Sequence, residues 1–89
     1  MNRLPLKVGS VAVSMAGRDE GRTFAVLEEL DADFVLTVDG KLRGMERPKK
    51  KRRKHLKATG RVLEEMVSRL ESGQTVLDYE LRTWLNEEG

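Results

Sequence analysis

Near the middle of the chain, residues 48–57 read PKKKRRKHLK, with seven lysines and arginines in ten positions. Charges packed this densely repel one another, so the free segment is expected to be extended or irregular. The run also marks a change of pattern: turn-punctuated apolar segments precede it and helical periodicity follows it. Residues 1–44 carry six basic and seven acidic side chains, residues 45–57 eight and one, and residues 58–89 three and seven. Nearly all the positive field therefore comes from one short segment between two mildly acidic parts. A dense patch attracts polyanions better than the same charge spread evenly.

At 89 residues and 10.1 kDa there is room for one small domain. Such a domain buries only about 60–65% of its unfolded surface. The chain has no cysteine, so no disulfide or thiolate metal site reinforces it. That absence fits a reducing interior such as the cytoplasm, which is the expected location. No apolar run approaches the ~20 residues of a membrane span. The first residues, MNRLPLKVGSVAVSMAG, make a poor signal peptide, because a Pro and a Lys interrupt their apolar part.

Val8 to Val13, Thr23 to Leu27 and Asp33 to Val38 are rich in β-branched or aromatic residues and read as strands. Turn signals separate them at 16–21 and 29–33. Asp39-Gly40 is a tight-hairpin signal, and it predicts that Lys41-Leu42-Arg43 returns as a fourth short strand. Strands this short bury one face most economically by curling into a small barrel. After Lys57, apolar residues at 62, 63, 66, 67 and 70 mark one helical face, stopped by Ser72-Gly73. Thr75 with Asp78 resembles a capping box opening a second helix, with Val76, Leu77, Leu81, Trp84 and Leu85 on one face. The two helices are expected to pack on each other and on the barrel.

Chemistry-bearing constellations are few. The single histidine, His55, has no Ser or carboxylate beside it in sequence to form a relay. The loop bracketed by Gly17 and Gly21 lacks the Gly-Lys-Ser/Thr ending of a nucleotide-binding loop. The acidic stretch from Glu28 to Asp33 lacks calcium-loop spacing and reads as a solvated turn. These readings predict no catalytic residue, no metal and no cofactor. Phe24, Phe34 and Trp84 are expected in the core, with Met15 and Met66 as filler. Few rings are then left to stack bases.

For the basic run, three functional readings compete with that of a solvated linker. Membrane binding wants apolar residues interleaved for insertion, and only Leu56 offers itself. PKKKRRK also looks like a nuclear-import label. Nucleic acid is the favoured polyanion. Five to eight phosphate contacts would give a log–log salt slope of roughly −4 to −7.

The stretch from Val8 to Val26 resembles the KOW motif, shared by transcription-elongation factors of the NusG type and several large-subunit ribosomal proteins. Gly21 matches the motif's central glycine, between two strands. Ser14 to Arg22, Val38 to Arg43, Pro48 to Lys51 and Lys54 to Leu56 resemble small bacterial KOW-domain RNA-binding proteins. Those proteins are themselves similar to KOW-bearing large-subunit ribosomal proteins of archaea and eukaryotes. The resemblance covers about residues 6–57. The chain departs from the motif at Glu20, where many members have Lys, and at Phe24, where many have Gly. Phe24 implies a bulkier core there.

The resemblance implies an SH3-like barrel that binds RNA, commonly ribosomal RNA, through its loops and adjoining basic tail. It carries over Arg18 and Arg22 in the Gly17–Gly21 loop and Arg43 after the Asp39-Gly40 turn. With the basic segment, the expected RNA-binding residues are Arg18, Arg22, Lys41, Arg43, Arg47, Lys49, Lys50, Lys51, Arg52, Arg53, Lys54, His55 and Lys57. The expected architecture is mainly β with a helical tail. A small SH3-like (KOW) β-barrel spans 1–46, a basic extended linker 47–57, and a helical hairpin 58–89. The expected role is a non-enzymatic RNA-binding module in translation, with the ribosome or its proteins as further partners. The alternative is a protein-interaction adaptor that docks a partner through Trp84 or Tyr79. Oligomeric state is open. Neutralising residues 49–54 is expected to weaken RNA binding and leave the fold intact.

Overall fold

A computed structural model describes residues 5–86. Its five strands are β1 (Ser10–Ser14), β2 (Thr23–Glu29), β3 (Phe34–Val38), β4 (Lys49–Arg52) and β5 (Leu56–Val62). They form one antiparallel sheet in the order β4-β3-β2-β1-β5, followed by helices α1 (Glu64–Glu71) and α2 (Asp78–Asn86). The fold is thus mainly β with helices at the C-terminus.

The sheet cannot be flat. β4 and β5 are its two edges, yet only a 3-10 turn, Arg53–His55, joins them. In a flat sheet four strand spacings of about 4.8 Å would separate the edges by about 19 Å. The four residue-to-residue steps from Arg52 to Leu56 span at most about 14 Å. The edges must therefore swing toward each other at that end. Two irregularities help the curl, one in β2 between Val26 and Glu28 and one between β1 and β5 near Ser10.

Side-chain alternation splits the core into two clusters. On one face Val11, Ala25 and Val38 pack against Leu63, Met66, Val76 and Leu81, so the helices cover that face rather than only each other. Ala12, Val26 and Val35 gather on the other face with Leu6 and Leu56. Phe24 is buried as expected for a bulky residue there, while Met15, expected as filler, is 52% exposed.

Three expectations are corrected. Lys41-Leu42-Arg43 is not a strand. The Asp39 carboxylate accepts hydrogen bonds from the backbone N–H groups of Lys41 (2.8 Å) and Arg43 (2.9 Å), and the N–H groups of Asp39 and Gly40 both donate to the Arg43 carbonyl. That closes a local loop in which residues 41–43 have no ladder to join. The partner of β3 is instead the basic run: 47–57 is no linker, since it supplies β4, the 3-10 turn and the start of β5. The helical hairpin expected over 58–89 in turn begins late, because residues up to Val62 pair with β1.

The stop at Ser72-Gly73 falls where expected, and the capping signal of the second helix is shifted. α1 ends with Gln74 N donating to Arg69 O and Gly73 N to Leu70 O, the paired bonds of a Schellman cap. At α2 the capping acid is Glu80, which accepts from Leu77 N at 3.1 Å. Asp78 serves another purpose, accepting from Met45 N at 2.7 Å and so tying the β3–β4 loop to the helix.

Candidate nucleic-acid interface

Strand β4 is built from Lys49-Lys50-Lys51-Arg52, and antiparallel pairing with β3 sends these side chains alternately to opposite faces. Lys49 and Lys51 sit opposite Thr37 and Val35, and Lys50 and Arg52 opposite Leu36 and Phe34. Cross-strand partners share a face. The four cations are therefore two pairs with different surroundings.

The Lys49–Lys51 pair is engaged within the protein. Both ammonium groups meet one carboxylate oxygen of Asp19, at 2.9 Å and 3.0 Å. Asp19 stands on the 3-10 turn Gly17–Asp19 between β1 and β2. Lys51 also donates to Ser14 Oγ at 3.3 Å and lies 4.8 Å from the centre of the Phe24 ring, with its side chain 9% exposed. Hydrogen bonds from Lys49 and then Lys51 hold the Asp19 carboxyl at about 2, against an ordinary 3.8.

Arg53 is engaged as well. Its guanidinium donates to Asp31 O at 2.9 Å, Leu6 O at 3.2 Å and Glu29 Oε1 at 3.0 Å. Asp31 is itself fixed, since its carboxylate accepts the N–H groups of Asp33 and Phe34; these bonds lower its pKa. Like-charge repulsion along the run is thus relieved by Asp19, Glu29 and main-chain carbonyls.

The other row faces outward. Lys50 Nζ lies 4.4 Å and Arg52 Cζ 5.0 Å from the centre of the Phe34 ring, so one half-buried phenyl carries two exposed cations. Lys54, His55 and Lys57 follow, exposed, on the turn and β5, and Arg47 is exposed before β4. Among the described residues none of these side chains makes an ion pair.

The remaining expected residues lie on other segments of the chain. Arg18 is exposed on the 3-10 turn and Arg43 is half-buried in the Asp39 loop. Arg22 and Lys41 line a cleft that also takes in Thr23, Asp39, Arg82, Leu85 and Asn86. Sequence reasoning missed Asp19 as the acid that engages two of the lysines. It also missed Arg82, which arrives from α2. Once the run is read as a strand, period two separates 49 and 51 from 50 and 52, but the partner on the β1–β2 turn is set by the tertiary fold.

Of the rings proposed for docking, Trp84 packs against the helix-side core, with the Arg69 guanidinium 5.5 Å from its ring centre. Tyr79 is 59% exposed. No cluster of three or more His, Cys, Asp or Glu side chains suited to a metal occurs among the described residues. No helix among them is long and apolar enough to cross a membrane. No protein-family model matches the chain, and no curated protein matches it either.

Proposed function

We propose that the protein is a non-enzymatic RNA-binding module of the KOW type, acting in translation in association with the ribosome. The observation that carries this reading is the outward strip of Lys50, Arg52, Lys54 and Lys57: exposed, close together in sequence, and in no ion pair among the described residues. A phosphate backbone is the ligand such a strip suits, because cations at strand spacing meet successive phosphates with no need for base-edge contacts. Exposed rings for stacking are scarce beside it, which favours structured over single-stranded RNA.

An SH3-like barrel of the KOW kind is part of the proposal. Support comes from the strand–loop–strand of β1 and β2, with Gly21 between them at φ +87°, a backbone conformation that favours glycine. The forced curl of the five short strands points the same way.

The internal pairing changes the expected electrostatics. With Lys49, Lys51 and Arg53 engaged by partners within the protein, about four phosphate contacts remain for the strip. The expected salt slope is then about −3 to −4, shallower than the whole run would give. Neutralising residues 49–54 together is also no longer a clean test, since it would strip Asp19 and Glu29 of their partners. Co-sedimentation with ribosomes and separated subunits at low and high salt tests the biological setting. Pelleting with one subunit at low salt and release at high salt is expected. Protein that stays in the supernatant at every salt concentration would overturn the ribosomal reading.

A further inference from the structure

The cleft between the Asp39–Arg43 loop and α2 lies apart from the β4 strip. Its volume is about 330 Å³, and its lining includes Arg22, Thr23, Lys41, Arg82 and Leu85. Arg22 and Lys41 are exposed, and neither makes an ion pair among the described residues. Arg82 is half-buried and donates from Nη1 to Gly40 O at 2.6 Å. A guanidinium has five N–H donors in a rigid fork. Among the described residues no partner is shown for the others. The one lining acid, Asp39, has Oδ1 committed to the N–H groups of Lys41 and Arg43.

Three cations against one carboxylate, with a hydroxyl, the Asn86 amide and an apolar wall, thus surround one concavity of net positive charge. From this geometry we infer that the cleft binds a phosphate group with its attached sugar, gripped by Arg22, Lys41 and Arg82 and flanked by the Thr23 hydroxyl. Arginine forks match phosphate oxygens with more than one bond at a time, which a lone ammonium on a flat surface cannot do. Leu85 gives the organic part a dry contact, and the volume sits at the small end of ligand sites. The bond from Arg82 to Gly40 has a second effect: it fixes the loop that presents Lys41, so α2 becomes part of the binding surface. The nucleotide unit could belong to an RNA chain or be a free phosphomonoester. In the first case the inference deepens the RNA-binding reading; in the second it stands apart from it.

The test is an amide and arginine-Nε NMR titration of the full chain, in which Glu87 and Glu88 are present. Two probes are added separately, inorganic phosphate at matched ionic strength and a short structured RNA. Saturable millimolar shifts at Thr23, Lys41 and Arg82 with phosphate, and not with chloride, are expected. Arg22→Gln and Lys41→Gln should each weaken that response roughly three- to tenfold. Arg82→Lys keeps the charge and removes the fork, and should weaken it too. If Arg82→Lys disturbs folding, the two exposed variants still decide the matter. RNA that moves the same signals at lower concentration assigns the cleft to the RNA chain. RNA that leaves them still while phosphate moves them assigns the cleft to a small free phosphate compound and not to the RNA chain. Phosphate shifts confined to Lys50, Arg52 and Lys54, or none at the cleft, overturn the inference. A Lys50→Gln/Arg52→Gln variant separates the two sites, since it should lose RNA affinity and keep the phosphate response of the cleft.

Discussion

Lys51 places its ammonium 3.0 Å from the Asp19 carboxylate and 4.8 Å from the centre of the Phe24 ring, so a residue of the most basic segment belongs to the interior of the fold. The pair joins the edge strand β4 to the loop between β1 and β2, positions 32 apart in sequence. It gives the sheet a cross-link where no cysteine is available.

Removing one member of this pair should cost stability. Lys51→Gln leaves Asp19 with Lys49 alone, whose side chain is 36% exposed, and is expected to lower the unfolding free energy by about 1–3 kcal/mol in urea denaturation. Asp19→Asn should do the same. The double variant should cost less than the two single losses added together, because both remove one interaction. Additive losses would mean that the contact contributes little.

The same pair predicts an acid limb. Folding lowers the Asp19 pKa from an ordinary 3.8 to about 2, so the folded state favours its ionised form. The resulting stabilisation is complete above the ordinary value and disappears as pH falls through about 2, amounting to something on the order of 2 kcal/mol. Asp31 and Glu80 are also lowered and act in the same direction. Thermal melts between pH 5 and pH 2 should show a steep loss in the wild type and a shallower one in Asp19→Asn. Identical pH profiles would contradict the assignment.

Two glycines differ in what an added methyl group would meet. At Gly21, φ is +87° and a Cβ would touch nothing within 4 Å, so Gly21→Ala should cost only the backbone strain, about 1–2 kcal/mol. At Gly40, φ is +78° and a Cβ would lie 2.5 Å from Asp78 O, a main-chain atom that cannot swing aside. Gly40→Ala should therefore melt at a distinctly lower temperature than Gly21→Ala. The reverse order would show that the loop and α2 are not in close contact.

Much of this fold is readable from the residues. Val11, Val26, Val35 and Val38 sit in strands where their β-branched runs place them, and Met66 and Leu81 face the core as helical spacing requires. The basic strand was not readable. Lysine and arginine carry no apolar alternation, and lysine is a poor strand former by propensity. What makes 49–52 a strand is tertiary: the exposed edge of β3, the Phe34 ring on one side and Asp19 on the other. The Asp39-Gly40 turn was recognised, but its chain returns only after the ten residues 39–48, because the Asp39 side chain closes a loop first. In the candidate interface the kind of residue was legible and the subset was not. Charge counts cannot tell Lys50 from Lys51, whereas strand parity can.

The measurement closest to the central claim is the salt dependence of binding to a structured RNA, comparing the wild type with Lys50→Gln/Arg52→Gln/Lys54→Gln. These substitutions leave the Asp19 and Glu29 pairs in place, so stability should fall by no more than about 1–2 kcal/mol, from the contacts with Phe34. Affinity should drop at every salt concentration, and the log–log slope should become shallower by about 2–3 as three phosphate contacts are lost. A variant that binds with wild-type affinity and wild-type slope would contradict the assignment of the outward row as the RNA-binding surface.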